Sequence, residues 1–252
     1  MSRSGPGVLE TAGELALLGG RALAGLFRPP WELRAWIGQM DQVGVRSLGV
    51  AGITTVFTGM VLALQTAVSL PGLGVKYYIG AVVSKSLVRE LGPVLVALIV
   101  GGRIGAGMTA ELGTMKVTEQ IDALRAMASD PVKKLVVPKL AATLLMLPAV
   151  TLLGDFLGIL GGLVVAVLEL GLTPGFYIND VLNSLTLEDV GSGIGKSVFF
   201  AFFITTVACR NGLAADGGAD GVGRATTNTV VVASILVMVS DFFLTKLFYL
   251  LG

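Results

Sequence analysis

The stretch that decides the fold, residues 89–131, reads RELGPVLVALIVGGRIGAGMTAELGTMKVTEQIDALRAMASDP. It begins with a charged pair, Arg89 and Glu90, set in apolar surroundings, and it continues through an apolar run. It then becomes polar and amphipathic before it reaches Asp130 and Pro131. This order predicts a membrane-spanning helix that leads into a helix in the aqueous phase.

The polar part of this stretch predicts a short helix over residues 118–128. Thr118 is suited to cap its first turn, and Glu119 and Asp122 lie near the positive end of the helix dipole. Its apolar residues recur at helical spacing on one side, namely Ile121, Leu124 and Ala128. Because an isolated helix of this length is marginal in water, it needs a surface to lie on. That surface is either its own membrane domain or another protein.

Two blocks of sequence stand out along the chain. The first is ELGTMKVTEQIDAL at 111–124, with RELGP at 89–93 ahead of it, and the second is GGADGVGRATT at 217–227. The first block and RELGP resemble a signature of the MlaE (YrbE) family of ABC-transporter permeases, and the second block is similar to the C-terminal signature of that family. The blocks follow each other in the expected order, and the likeness extends over nearly the whole chain.

The composition of the 252 residues predicts an all-α, polytopic membrane protein. The hydrophobic fraction is 54%, only 14% of residues are charged, and the mean hydropathy is +0.83. The net charge of +1 does not favour nucleic acid as a partner. The absence of histidine excludes a Ser-His-Asp triad and a histidine-based zinc site. The single cysteine, Cys209, permits no internal disulfide and is expected to be a packing residue.

Residues 1–47 are expected to form interfacial helices on the cytoplasmic side. The apolar stretch 8–27 contains too many charges to span a membrane and is expected to lie along its surface. A second interfacial helix, the elbow, is predicted at 31–43, with a soluble helical hairpin as the alternative. Aromatic and basic anchors for the headgroup region lie in it and directly before it, namely Arg28, Trp31, Arg34 and Trp36. No signal peptide is apparent.

Residues 48–251 are expected to form a permease domain of five spans. The charge-free run 48–75 predicts the first span, with a turn at 71–74. The run 91–102 is too short to cross, so the second span must include Arg89 and Glu90. The other three spans are predicted at about 140–168, 190–209 and 225–251. Small residues at four-residue spacing predict a close helix contact in the third span, and they are Gly154, Gly158 and Gly162.

The distribution of charge predicts the orientation of the spans. Thirteen Lys and Arg residues fall on the side of the N-terminus and of the 118–128 helix. The segment 169–189 is acidic and has no Lys or Arg, which is typical of the outer side. The N-terminus is therefore expected in the cytoplasm, and the C-terminus and the segment 169–189 in the periplasm. The resemblance implies the inner membrane of a bacterium with two membranes.

Five ionisable residues are predicted at membrane depth and are the candidates for substrate contact or gating. They are Arg89, Glu90, Asp155, Lys196 and Asp241. An ionised group at that depth is costly unless it is paired or hydrated. In one interpretation a pair such as Lys196 with Asp241 or Glu90 locks the bundle. In the other, these residues line a cavity and meet a lipid headgroup, and the resemblance favours Glu90, Lys196 and Asp241.

Other sequence patterns are weak. The string GSGIGKS at 191–197 lacks the first glycine and the preceding strand of a phosphate-binding loop, and the glycine-rich string at 105–110 lacks the context of a dinucleotide site. The glycine-rich segment 210–224 is expected to be a loop, either a flexible connector or a cytoplasmic element that supports the ATPase contact. Asp216 and Asp220 lack the spacing of a calcium loop, and no metal or catalytic site is predicted.

The resemblance implies a permease subunit that moves lipids, expected to be phospholipids, and that is not itself an enzyme. Its implied partners are a second copy of the chain, two ATPase subunits that bind ATP and Mg²⁺, a periplasmic MCE-domain protein, and a small regulatory subunit associated with the ATPase. The first, second and fifth spans of the two copies are expected to enclose an apolar cavity that holds the acyl chains. The predicted ATPase contact comprises Glu111, Thr118, Glu119, Ile121, Asp122, Leu124 and Arg125.

Two other classes of function remain open from the residues alone. A secondary transporter coupled to ions or protons could use Glu90, Asp155 and Asp241 as a relay. A membrane scaffold would use the same charges only to hold its helices together.

Overall fold

The computed structural model describes residues 7–29, 33–69 and 78–251, and these residues form ten α-helices with no β-strand. The helices are α1 (Val8–Leu26), α2 (Leu33–Val43), α3 (Leu48–Ser69), α4 (Ile79–Ser86), α5 (Gly92–Val117), α6 (Gln120–Ala126), α7 (Val137–Leu168), α8 (Pro174–Ser184), α9 (Leu187–Leu213) and α10 (Gly218–Leu251). A 3₁₀ turn at Val45–Ser47 joins α2 to α3, and π turns at Leu87–Leu91 and Val132–Val136 precede α5 and α7.

Five helical stretches are long and apolar enough to cross a membrane. They are Arg34–Ser69, Ile79–Val117, Val132–Leu168, Leu187–Leu213 and Gly218–Leu250. The prediction of an all-α protein with five spans is confirmed. The second span includes Arg89 and Glu90, as expected from the shortness of the charge-free run. The predicted turn at 71–74 and Trp31 lie outside the described residues.

The third span provides the flat surface on which the first span packs. A Cβ atom on Gly59 of α3 would overlap the carbonyl group of Gly158 on α7, so the two backbones touch. A Cβ atom on Gly154 would meet Thr55 of α3 at 3.1 Å. The predicted glycine stripe therefore does lie in a close helix contact, which only residues without a side chain permit.

The fourth span, α9, is the most enclosed of the five and packs against α5, α7 and α10. Buried hydroxyl groups join three of these helices, since Thr109 Oγ1 of α5 lies 2.9 Å from Thr229 Oγ1 of α10 and 3.1 Å from the Ala208 carbonyl oxygen of α9. By contrast, α10 leaves much of its apolar surface exposed. The chain thus has a well-packed interior around α9 and an exposed apolar side along α10.

The two N-terminal helices dock on the same end of the bundle. Arg210 Nη2 of α9 donates to Glu14 Oε2 of α1 at 2.7 Å, and Lys139 Nζ of α7 lies 3.4 Å from Gln39 Oε1 of α2. Helix α2 leads into α3 through Val45–Ser47. The division of the chain at residue 47 stays a prediction. The placement of both helices at a membrane surface stays a prediction.

The segment between the third and fourth spans contains the helix α8, which packs against α4. Ala81 N of α4 donates to Asp180 Oδ2 at 2.8 Å, and Tyr177 Oη donates to the Ile159 carbonyl oxygen at 3.1 Å. These contacts hold α8 against α4, the first helix of the second span. The segment 169–189, predicted to be periplasmic, is therefore largely helical, and its last residues already belong to α9.

The prediction of a glycine-rich loop over 210–224 is wrong. Helix α9 continues to Leu213, and α10 begins at Gly218, seven residues before the predicted start of the fifth span. Only four residues connect them, because Gly217 and Gly218 adopt φ values of +87° and +67° that complete a tight reversal. The high glycine content of this segment had suggested a flexible connector. In the structure, two of these glycines form a tight turn between two helices.

Candidate functional site

Lys196 of α9 is the centre of a buried charge cluster. Its side chain has 0% exposure, and Nζ lies 2.5 Å from Glu90 Oε2 and 3.2 Å from Asp241 Oδ1. Thr245 Oγ1 accepts a hydrogen bond from Nζ at 2.7 Å. The contact with Asp241 is an ion pair by distance without hydrogen-bond geometry. The lysine thus connects the second, fourth and fifth spans, and its two carboxylates give the cluster a surplus of negative charge.

The two carboxylates differ in how much of them is accessible. The side chain of Glu90 is 41% exposed and that of Asp241 is 20% exposed, whereas Lys196 is fully enclosed. A polar group that approaches this side of the bundle therefore meets Glu90 first. Because a fully buried ammonium group requires compensation, Lys196 depends on both acids for its position.

Arg89 and Asp189 form a separate pair next to this cluster. Arg89 Nη1 lies 3.2 Å from Asp189 Oδ1 at the start of α9. Asp189 also completes a capping box with Thr186, because Asp189 Oδ2 accepts from Thr186 N at 2.9 Å and Thr186 Oγ1 accepts from Asp189 N at 3.2 Å. One carboxylate thus fixes the first turn of α9 and holds the arginine.

The π turn at Leu87–Leu91 explains why neighbouring residues reach different partners. An extra residue in a helical turn widens it and changes the direction of its side chains, and such turns are frequent at functional sites. Arg89 reaches Asp189, while Glu90 reaches Lys196, seven residues further along α9. The π turn therefore places two opposite charges along one stripe of α9.

Asp155 stands apart from the other predicted intramembrane charges. Its residue is 4% exposed, it forms no ion pair with another described residue, and its Oδ1 atom has no hydrogen-bond partner there. This oxygen lies against Gly92, where a Cβ atom would overlap it. The structure thus joins Glu90, Lys196 and Asp241, pairs Arg89 with Asp189, and leaves Asp155 alone.

The second candidate site is the end of the bundle at α6. Ile121 is fully buried and Leu124 is half-buried, whereas Asp122, Arg125 and Met127 are exposed, Met127 by 69%. Lys116 Nζ and Arg125 Nη1 each donate to Asp122 at 2.9 Å. The helix is thus fastened to α5 on one side and presents a mixed polar and apolar surface on the other.

Asp122 forms two exposed ion pairs, one with Lys116, which links this helix to α5, and one with Arg125 in the last turn of the same helix. The hydrogen bond from Lys116 holds the pKa of Asp122 below its usual value of 3.8, and the positive charges of Lys116 and Arg125 act in the same direction. The group is therefore ionised at neutral pH. Since the folded-state pKa is lowered, its contribution to stability is present above 3.8 and is lost as the pH falls through the lowered value.

Two details of the predicted helix at 118–128 are wrong. Thr118 does not cap it, because Glu119 adopts φ = +61° and Thr118 Oγ1 donates back to the Thr114 carbonyl oxygen at 2.7 Å. Ala128 is not part of its apolar side, because the helix ends at Ala126 and Ala128 adopts φ = +55°. The sharp corners at both ends shorten the helix to seven residues.

Glu111, predicted to take part in the ATPase contact, lies on α5 and accepts a hydrogen bond from Lys139 Nζ at 2.6 Å. The lysine is almost fully buried and also approaches Gln39 of α2. Glu111 therefore connects α5 to α7 and, through the lysine, to α2. A direct role in binding an ATPase stays a prediction for this residue.

Three residues of these sites were not among the sequence-based candidates, namely Lys139, Asp189 and Thr245. The capping-box spacing from Thr186 to Asp189, directly before an apolar run, was a usable indication. Thr245 follows Asp241 by one helical turn and so had to share its face. Lys139 resembled a member of a surface basic group, and its burial depends on tertiary contacts.

The two nucleotide-like strings lie inside helices. Residues 191–197 belong to α9, and residues 105–110 belong to α5. A phosphate-binding loop requires a strand followed by a loop that leads into a helix, so neither string has the required backbone.

Comparison with known proteins agrees with this architecture. The profile of the family described as permease MlaE matches residues 36–247. A probable ABC transporter permease protein of Rickettsia typhi is 41% identical over 240 residues, which cover 95% of this chain and 93% of that protein. A probable ABC transporter permease protein of Synechocystis is 43% identical over 216 residues, 86% and 82% of the two chains.

A further relative has a more specific name. It is the intermembrane phospholipid transport system permease protein MlaE of Haemophilus influenzae, which is 39% identical over 214 residues, 84% of this chain and 82% of that protein. The family profile covers most of the chain, and the relatives align along nearly their whole lengths. The chain with its five spans, its buried lysine cluster and its helix α6 therefore belongs to the MlaE family of ABC-transporter permeases.

Proposed function

We propose that this chain is the membrane subunit of a transporter that moves phospholipids between the inner membrane and a periplasmic lipid-binding protein of the MCE type. Two copies form the transport unit, two separate ATPase subunits bind ATP and Mg²⁺ on the cytoplasmic side, and a small regulatory subunit attaches to the ATPase. The chain itself performs no covalent chemistry. The N-terminus and α6 face the cytoplasm, and α8 and the C-terminus face the periplasm.

The observation that carries this proposal is the geometry of α6. Its two ends are tight corners, with positive φ at Glu119 and Ala128, and Ile121 anchors it on the bundle. Its exposed surface carries Arg125 and Met127, so a partner has both a charge and an apolar side chain to bind. Because this short helix is fixed at both ends, a partner that moves it also moves the bundle to which it is attached.

A displacement of α6 would reach the charge cluster through α5. This helix has 26 residues, or about 39 Å at 1.5 Å per residue, and the π turn with Glu90 continues from its far end. Movement of α5 against α9 changes the distance between Glu90 and Lys196. ATP hydrolysis at one end can thus open or close the polar contact at the other.

The charge cluster is suited to meet a phospholipid headgroup. Glu90 is accessible and accepts hydrogen bonds from an ammonium group, while Lys196 can pair with a phosphate when Glu90 moves away from it. Such an exchange keeps every buried charge paired in both states. The proposed cavity next to this cluster lies between the two copies and holds the acyl chains.

Co-purification tests the proposed ATPase contact. Met127→Asp and Leu124→Asp are expected to remove the ATPase, because each introduces a charge into the bound surface. Leu182→Asp is the matched control, since Leu182 on α8 is 71% exposed at the other end of the bundle. Retention of the ATPase by the Met127 and Leu124 variants, or its loss from the Leu182 variant alone, would contradict the assignment of α6. Mass spectrometry of lipids bound to the purified complex would identify the cargo.

One observation favours a second candidate, a proton-coupled transporter. Asp155 is a buried carboxyl group with no charged partner among the described residues, as a proton-carrying site requires. In this case, vesicles with the purified protein would take up protons together with substrate in the absence of ATP. Substrate movement that requires ATP and the ATPase subunits would exclude it.

A further inference from the structure

A groove with a volume of about 590 Å³ lies between α1 and the start of α7, away from the cluster at Lys196. One stripe of α1 forms its first wall with Leu17, Gly20 and Arg21, and Arg28 lines the groove just beyond the end of this helix. The opposite wall includes Asp130 and Lys133. The groove is thus located at the end of the bundle where α6 joins α7.

The basic residues of this groove have few partners of their own. The guanidinium groups of Arg21 and Arg28 form no hydrogen bond or ion pair with another described residue. Lys133 Nζ donates to the Pro29 carbonyl oxygen at 2.9 Å. The one carboxylate, Asp130, accepts from Val132 N at 2.9 Å. The groove therefore contains three cationic side chains and one carboxylate, which already accepts a hydrogen bond from the backbone. Its net charge is positive.

The walls of the groove are fixed in position. The ion pair between Glu14 and Arg210 holds α1 on α9, and the bare backbone at Gly19 lies against Phe202. Near the groove, a Cβ atom on Gly25 would touch Val137 Cγ2, so α1 and α7 are in direct contact there. The groove is therefore a built feature of the packing, with Arg21 on α1 and Arg28 two residues after the last residue of that helix.

Exposed apolar side chains lie in the groove and on the surface of α1. Leu17 lines the groove and is 67% exposed, and Leu9 and Leu23 of α1 and Phe27 directly after it are also exposed. A helix with such a surface buries it in the interfacial layer of a membrane. Basic groups next to such apolar side chains match a molecule that has an anionic head and hydrocarbon chains, and basic pockets between membrane helices bind such headgroups.

We infer that this groove binds one phospholipid with a net negative charge as a resident lipid. Its phosphate is held by Arg21, Arg28 and Lys133, and its acyl chains leave past Leu17. The bound lipid joins α1 to the beginning of α7, directly behind α6. It is distinct from a lipid that would be transported past Lys196, so this inference does not depend on the proposed function.

Photo-crosslinking of the full-length chain in nanodiscs tests the inference. The nanodiscs consist of phosphatidylethanolamine with a small fraction of either photoreactive phosphatidylglycerol or photoreactive phosphatidylethanolamine. We expect phosphatidylglycerol to label peptides from α1 and the start of α7 several-fold more than phosphatidylethanolamine does. Raising the salt concentration should reduce this difference, because the contact is electrostatic.

Two glycines of α1 provide a matched pair of variants. A Cβ atom on Gly20 or on Gly13 meets nothing within 4 Å, so both accept a side chain, but only Gly20 lines the groove. Gly20→Leu is therefore expected to obstruct the groove and strongly reduce the preferential labelling, whereas Gly13→Leu should preserve it. The double variant Arg21→Gln with Arg28→Gln should lose the preference for phosphatidylglycerol, and Arg34→Gln on α2 should keep it.

Three results would overturn the inference. The first is equal labelling by both lipids, and the second is labelling that Gly20→Leu leaves unchanged. The third is labelling that disappears once the soluble subunits of the complex are added, which would assign the groove to a protein partner. Because the readout is lipid binding at α1, none of these results bears on ATPase binding at α6 or on transport.

Discussion

Lys196 shows how a single residue can hold three helices together and still permit movement. Its ammonium group is enclosed by Glu90 and Asp241, and Thr245 supplies a neutral acceptor. Removing one member leaves the others with an unmatched charge in a site where Lys196 is fully enclosed and only the two carboxylates are partly exposed. The stability of the cluster and its capacity to change partners therefore have the same origin.

We predict that Lys196→Met lowers the free energy of unfolding by about 3 kcal/mol. This is the lower end of the range for a broken buried pair, because Glu90 is 41% exposed and partly screened. Thermal unfolding of the purified protein in detergent measures the change. Combining Lys196→Met with Glu90→Gln and Asp241→Asn should recover most of the loss. A triple variant as unstable as the single one would show that packing, and not charge, determines the effect.

Asp155 provides a second prediction at this scale. Its carboxyl group has no charged partner among the described residues, so Asp155→Asn keeps the shape and removes the penalty that ionising this buried group would carry. We expect the midpoint of thermal unfolding to stay the same or rise, and ATP-dependent lipid transfer to continue. Transfer that is abolished while the fold is retained would favour the proton-coupled alternative, because an amide cannot carry a transported proton.

At the scale of elements, the contact between α3 and α7 depends on the absence of side chains. Gly59→Ala is predicted to separate the two helices and lower the stability by about 1–3 kcal/mol, because its Cβ atom would overlap the Gly158 carbonyl group. Gly49→Ala on the same helix is the control, since its Cβ atom meets nothing within 4 Å. Both substitutions make the same chemical change, so unfolding in detergent should show a loss of stability for Gly59→Ala and little change for Gly49→Ala. Equal effects would argue against a tight contact at Gly59.

The elements could be predicted from sequence where hydrophobicity and spacing determine them. The five spans follow from apolar length, and the glycine stripe of α7 follows from its four-residue period. The ends of elements were less accessible. The turn at Gly217 and Gly218 and the corners at Glu119 and Ala128 depend on positive φ values, and neither a glutamate nor an alanine indicates such a conformation in advance.

The same limit applies to the candidate site. Lys196 with Glu90 or Asp241 was foreseeable as a pair, because buried charges need partners. The sequence did not indicate that Arg89 pairs with Asp189 while Glu90 pairs with Lys196, since these pairings depend on the π turn. Likewise, the burial of Lys139 beside Glu111 depends on how α2, α5 and α7 meet.

For the whole molecule, the odd number of candidate spans predicts that its two ends lie on opposite sides of the membrane. Cys209 is buried, so it should not react with an impermeant maleimide. Met127→Cys should react only after the cytoplasmic side is opened, and Asn183→Cys on α8 should react in intact spheroplasts. Both positions are exposed, which makes them a matched pair. The reverse pattern would contradict the proposed orientation and the cytoplasmic position of α6.

The π turn also has a consequence for how this span tolerates changes in length. A turn with one surplus residue can return to ordinary α-helix when one residue is deleted, so removing Val88 need not break the span. Because the π turn takes up its surplus residue locally, this deletion would leave the angular phase of α4 relative to α5 nearly unchanged. Each residue of an ordinary α-helix turns it by about 100°, so deleting Val82 from α4 would instead turn Ala81 away from Asp180. The span should therefore tolerate the loss of a residue at the π turn better than the loss of a residue in the helix before it.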